Sequence, residues 1–330
     1  MPPRGKRAKT DNATSALIAA LKFVSVAQKE SGNAGETHCV LRNNTVTAFN
    51  GILAAGHTII EDLQACPQSR RLIDALEKCG EDLAITQLDN NNLSIRSGKF
   101  KASVPCADLT IMPYAAPDQP CATITDKLKD GFSKISCIVS DTSENVVTAS
   151  ILLQAATMVS TNRHVMLEYW HGLDLPPNLV IPKAAAMAVA KSIKPLDKLG
   201  FSASSVTFWF QDGSWIRTQQ YAEPWPNVGK VLNVISDPKP ILPTFYAGLD
   251  AIASFSPDDT VYFSPDLIHS HFDTNLGATY EVTGLPEDLA FGIKNLKIIE
   301  PFVKSIDFTG VKGISYFFGD DIRGAIVGKV

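Results

Sequence analysis

One order of elements occurs three times along these 330 residues, and it limits the possible folds more than any composition does. In Gln68 to Val104, Leu72, Ile73, Leu76 and Cys79 recur at helical spacing, and two alternating segments follow around a turn at Asp89 to Asn92. The order returns at Pro182 to Tyr221, where PKAAAMAVAKSIK leads into SVTFWF, the turn Gln211-Asp212-Gly213, and SWIRTQQY. It returns again at Ile293 to Val330, as IKNLKIIEPFVKSI, GISYFF, Gly319-Asp320-Asp321 and IRGAIVG. The turns lie roughly 110 to 120 residues apart, about one small domain per copy.

A second helix and further strands precede each copy. Leu17, Leu21 and Val24 make the apolar stripe of a helix running to Lys29; strands follow at His38 to Arg42, Thr45 to Phe49 and His57 to Leu63. Asp126 to Cys137 reads as the next helix, with strands at Val146 to Gln154, Thr157 to Ser160 and Val165 to Trp170. Pro243 to Phe255 opens the third set, with strands at Thr260 to Phe263, Leu267 to Phe272 and Ala278 to Thr283. Pro301 falls inside the last predicted helix and should kink it. Pro113, Pro117 and Pro120 mark a stiff linker. The expected organisation is a tail over residues 1–12 and domains at 13–115, 121–232 and 237–330. Two helices on one face of antiparallel sheets, three times over, is an α+β architecture.

At 45% hydrophobic and 19% charged, the chain reads as globular, and no run is apolar and long enough to span a bilayer. Its six cysteines form no CxxC pair, so reduced thiols in a cytoplasmic protein are expected, with no metal and no cofactor. Arg4, Lys6, Arg7 and Lys9 ahead of an apolar stretch faintly mimic a secretory signal. Lys22 interrupts that stretch, so it reads as a basic tail and a first structural helix.

A net charge of −4 excludes a nucleic-acid argument from overall basicity, so placement has to carry it. The predicted helices are net positive and the remainder net negative. Lys22 and Lys29, Arg71 and Lys78, Lys127 and Lys134, Lys191, Lys194 and Lys198, and Lys294, Lys297 and Lys304 are the candidate cations. Lysines on a helix usually just solvate it. Repeated over five helices, they suit a polyanion gripped through phosphate charge without base readout.

Catalytic signatures are sparse. His269 and His271 share one face of a predicted strand near Asp266 and Asp273, the best starting point for an enzyme reading, but a metal would need further ligands. No nucleophile motif accompanies His164, and neither phosphate-binding glycine motif is present. Phe208, Trp209, Trp215 and Trp225 could stack bases or simply pack a core.

Three stretches carry a resemblance. They are LIDALEKCGEDLAITQLDNNNLSIRSGKFKASVPCADL (Leu72 to Leu109), STNRHVML (Ser160 to Leu167) followed by IPKAA at Ile181, and EPWPNVGKVL (Glu223 to Leu232). In order and spacing the chain resembles the bacterial DNA polymerase III β subunit, the sliding clamp, over nearly everything after the tail. It departs from that family at Asn162-Arg163, where Asp-Gly is favoured, at Val165 in place of Arg, and at its C-terminal residues; it is also shorter, which implies a divergent, phage-encoded clamp. The resemblance implies a head-to-tail homodimeric ring around double-stranded DNA, with the helical cations facing the duplex and the Phe100 strand pairing across the subunit boundary. It also implies that linear motifs of polymerase and clamp loader dock near Thr161, His164, Val165, Met166, Pro226, Val231 and Val327. No covalent chemistry would be required. The competing readings are a clamp-fold interaction module that does not encircle DNA, and an α+β enzyme using the His269/His271 region.

Overall fold

Antiparallel pairing organises the chain. A computed structural model describes residues 13–80, 82–88, 90, 92–310 and 313–329. The basic tail and part of the Asp89 to Asn92 turn lie outside the described residues. The chain divides into two units: residues through Cys121 together with Ser192–Gln219, and Ala122–Lys191 together with Gln220–Val330.

In the first unit a seven-stranded sheet runs in the order Val40–Arg42, Thr45–Phe49, Leu53–Thr58, Trp215–Gln219, Ser205–Phe210, Leu196–Ser202 and Pro120–Thr123. A three-stranded sheet, Ala84–Gln87, Leu93–Ser97 and Phe100–Val104, stands apart. Helices Ala13–Val24 and Ser69–Leu76 touch each other and the sheets. Leu17, Leu21 and Val24 of the first and Leu72, Ala75 and Leu76 of the second are buried, as helical spacing of apolar residues dictates.

The second unit holds an eight-stranded sheet in the order Leu179–Pro182, Ser150–Leu153, Thr157–Thr161, Val165–Trp170, Ile322–Val327, Ile314–Phe318, Ser305–Asp307 and Lys239–Pro240. A four-stranded sheet runs Thr279–Glu281, Leu267–His269, Thr260–Ser264 and Leu289–Gly292. Helix Lys127–Ile135 pairs with Lys183–Lys191, and Pro243–Ala253 with Ile293–Ile299. The fold is α+β, and each copy of the repeated order contributes one helix pair.

Each large sheet is joined through its middle by a long-range seam. Strand Leu53–Thr58 pairs antiparallel with Trp215–Gln219, placing Gly56 opposite Trp215. Strand Val165–Trp170 pairs antiparallel with Ile322–Val327, placing Met166 opposite Ala325 and Leu167 opposite Gly324.

Several local expectations need correction. The helix expected to reach Lys198 ends at Lys191, because Pro195 lacks an N–H and disfavours a helical residue before it; Leu196–Ser202 is a strand. Val146–Ala149 is a helical turn capped by the Asn145 side chain, and the strand starts only at Ser150. The third strand is Leu53–Thr58 rather than His57 to Leu63, since Asn50 closes the preceding turn by accepting hydrogen bonds from the Ile52 and Leu53 N–H groups. Pro301 kinks nothing, because its helix ends at Ile299.

Candidate functional site

The turn between strands Thr157–Thr161 and Val165–Trp170 is built by its own side chains. The Asn162 carboxamide oxygen accepts from the His164 and Val165 N–H groups at 3.0 and 2.7 Å. The Thr161 hydroxyl donates to the Val165 carbonyl at 2.8 Å and accepts from the Arg163 N–H at 3.1 Å. Arg163 itself adopts φ 76°, a left-handed conformation costly for a residue with a side chain. This is the position where the resemblance leads one to expect glycine.

Beside the turn lies a cavity of about 380 Å³. All seven residues singled out for a partner cleft line it: Thr161, His164, Val165, Met166, Pro226, Val231 and Val327. Two supports hold its far walls. The short helix Gly229–Leu232 buries Val228 and Leu232 against Leu152, Val159, Val180, Tyr316 and Ala325, which fixes Pro226 and Val231 at the rim. The Val327 N–H donates to the His164 carbonyl at 2.8 Å, while the Lys329 ammonium donates to the Asp258 carbonyl and the Thr260 hydroxyl at 2.8 and 2.6 Å. Sequence reasoning missed Asn145, Val147, Thr148, Arg163, Ile314 and Ala325 in the lining. The Asn145-Val-Val-Thr run is the signal that could have found three of them, had it been read as a cap and not as a strand. A larger cavity, about 650 Å³, opens between Leu242 and strand Ser305–Asp307, and none of the predicted residues lines it.

The candidate cations separate into two groups. Lys22 pairs with Glu77 at 2.6 Å, Lys134 with Asp130 at 2.8 Å, Lys198 with Asp197 at 3.6 Å, and Lys297 with Asp250 at 2.8 Å and Glu300 at 2.6 Å. Lys29 pairs with Glu36 and Lys304 with Asp320. Lys194 is held by Asp212, by the His57 imidazole at 2.6 Å and over the face of Phe23. Burial raises the Asp212 carboxyl, but donors from Lys194 and Ser214 outweigh it and hold the group at about 2. Arg71, Lys78, Lys127, Lys191 and Lys294 are exposed and have no acidic partner among the described residues. Five of the predicted cations sit off the helices: Lys29, Lys78 and Lys304 follow a helix end, Lys194 is in a loop, and Lys198 is on a strand.

The remaining candidates are structural. His269 is buried; its Nδ1 donates to the His271 carbonyl at 2.7 Å and its Nε2 accepts from the Ser264 hydroxyl at 2.9 Å. His271 Nδ1 accepts from the Asp273 N–H at 3.1 Å. Among the described residues no group of three or more His, Cys, Asp or Glu could hold a metal ion. Phe208 and Trp215 are buried, Trp209 donates to the Asp118 carbonyl at 3.0 Å, and Trp225 donates to the Ser150 hydroxyl at 3.2 Å, so these aromatics pack interiors. Phe100 is half-buried on the edge strand of the three-stranded sheet.

No protein-family model matches the sequence, and no curated protein sequence matches it. Solved structures do match. A Caulobacter crescentus pol III beta aligns with a TM-score of 0.81 at 14% identity, over 96% of this chain and 98% of that one. A DNA polymerase sliding clamp from Bacillus subtilis aligns at 0.76 and 16% identity, over 96% and 97%. The Helicobacter pylori beta clamp bound to a DNA ligase peptide aligns at 0.76 and 14%, over 97% and 99%. At such identities the likeness is one of fold, and it covers 96–97% of the chain: the protein has the fold of the bacterial DNA polymerase III β subunit, the sliding clamp.

Proposed function

We propose that the protein is a DNA sliding clamp: three clamp domains per chain, two chains closed head-to-tail as a homodimeric ring around duplex DNA, and a replicative polymerase tethered by a linear motif in the 380 Å³ cleft. One observation carries the ring. At both internal seams the third strand of a domain's first half pairs antiparallel with the last strand of a later hairpin, Leu53–Thr58 with Trp215–Gln219 and Val165–Trp170 with Ile322–Val327. Among the described residues, the two strands at equivalent positions that lack such a partner are Phe100–Val104 and Thr279–Glu281, each at the edge of its sheet. Unpaired edges are templates for another chain, and joining these two between copies repeats the same seam a third time.

Arg71, Lys78, Lys127, Lys191 and Lys294 are the proposed DNA contacts, with the ion-paired lysines able to exchange partners because exposed pairs are worth little. Such contacts are screened and non-specific, which suits sliding. The cleft is apolar and walled by Met166, Val231 and Val327, which suits short hydrophobic motifs of a polymerase and a clamp loader. The function needs no covalent step.

The many lysine–carboxylate pairs favour one second reading, an interaction module with the same fold that does not encircle DNA. A single assay separates the two. Loaded onto closed circular DNA and passed through a sizing column in high salt, a ring stays bound and is released when the circle is linearised. Retention that ignores linearisation, or no retention on circles, would eliminate encirclement.

A further inference from the structure

On the outer face of strand Val165–Trp170, Met166, Glu168 and Trp170 point the same way, because alternate side chains of a strand share a face. Met166 lines the partner cleft; Trp170, four residues on and roughly 13 Å along the strand, lines a different cavity of about 360 Å³. The linker helix Gly229–Leu232 separates them: Arg323, opposite Glu168, donates to the Leu232 carbonyl at 3.4 Å and to the Asn233 carboxamide oxygen at 3.1 Å.

Three properties of this second cavity point to the same ligand. Trp170 is 55% exposed, unusual for an indole on a sheet whose other aromatics are covered. The Trp170 backbone N–H donates to the Asp321 carbonyl at 2.8 Å, which places the two residues side by side on neighbouring chain segments, and both line the cavity. The Asp321 carboxylate has no partner among the described residues, whereas Glu168 is taken by Arg323. A flat π face beside an unpaired carboxylate satisfies a planar cation twice, by cation–π attraction and by a charge-assisted hydrogen bond. It disfavours phosphate and leaves an apolar chain with an unpaired carboxylate.

We propose that Trp170 and Asp321 form a second docking point that takes an arginine side chain from a basic segment of a partner protein, on the opposite side of the linker helix from the hydrophobic cleft. This builds on the clamp reading for the identity of the partner, but the contact itself does not depend on it. Arginine fits better than lysine because its guanidinium stacks and forks at once. Lys304 on Asp320 does not block the site, since an exposed ion pair yields readily to a better-placed cation.

The test is calorimetric titration of the full chain with a hexa-arginine peptide at low salt, with hexa-lysine alongside. Saturable binding is expected, weaker for hexa-lysine, and reduced about fivefold or more in Trp170→Ala and in Asp321→Asn. The near-isosteric Asp321→Asn keeps the test valid should Trp170→Ala fold poorly. The charge-neutral Met166→Ser, which shortens an apolar wall of the hydrophobic cleft, should leave hexa-arginine affinity unchanged. No saturable binding, or equal affinity across wild type and both cavity variants, would overturn the proposal. Failure of the clamp reading would appear in the circular-DNA assay and leave this titration untouched.

Discussion

Arg323 connects three parts of the second unit: the Glu168 carboxylate across the seam, the Leu232 carbonyl and the Asn233 side chain. Glu168 is 9% exposed at its side chain, so its charge depends on that guanidinium for compensation. Removing one member of a buried pair costs more than removing both, because a lone desolvated charge remains. Because the Arg323 side chain is itself 39% exposed, Arg323→Met is expected to lower stability by about 1–3 kcal/mol, less than a fully buried pair would cost, whereas the double variant Glu168→Leu with Arg323→Met recovers a large part of it. Urea unfolding of the two single variants and the double variant measures the coupling directly. Thiols offer a contrast at the same scale: burial pushes Cys39 and Cys66 up to about 12, which makes them inert packing groups.

At the scale of elements, each seam includes a glycine covered by an aromatic ring. A Cβ added to Gly56 would stand 2.4 Å from the Trp215 ring, and one added to Gly324 would stand 2.2 Å from Phe317 Cζ and 2.3 Å from the Met166 carbonyl oxygen. Side chains can shift, but a seam backbone cannot without breaking its pairing. Gly56→Val should therefore cost about 1–3 kcal/mol by overpacking. Gly324→Val should cost more than Gly56→Val, since it meets main chain and also displaces Met166 at the cleft. Comparing the denaturant midpoints of the two variants tests that order. The helix pairs were legible because buried positions such as Leu128, Phe132 and Ile135 repeat at helical spacing. Strand Leu196–Ser202 was not: Lys191, Lys194 and Lys198 also fall at helical intervals, and only Pro195 argues against continuing the helix.

For the whole molecule, the proposed ring rests on joining strand Phe100–Val104 of one copy to Thr279–Glu281 of another. Phe100 is half-buried in the single chain, so Phe100→Asp should leave the fold intact and remove the apolar contact that a partner strand would cover. Light scattering at micromolar concentration is expected to give a dimer for wild type and a monomer for Phe100→Asp. A wild-type monomer would end the homodimer proposal, and an unchanged dimer in the variant would move the interface elsewhere. The same variant should lose retention on circular DNA while keeping hexa-arginine binding.

Periodicity and turn chemistry by themselves determined the α+β class and the three helix pairs, because these depend on neighbours within a few residues. The resemblance carried by the Ser160 to Leu167 and Glu223 to Leu232 motifs named six residues within those motifs, and Val327 beyond them, that line one cavity. Only the tertiary structure decided that 196–219 completes the sheet begun at 40–58, that many of the candidate lysines face carboxylates, and that Trp170 stands beside Asp321. The reason is physical: a helix face or a turn is written in adjacent residues. Which strand edge meets which, and which carboxylate folds back onto which ammonium, follows from contacts between residues far apart in the chain, and no local pattern encodes them.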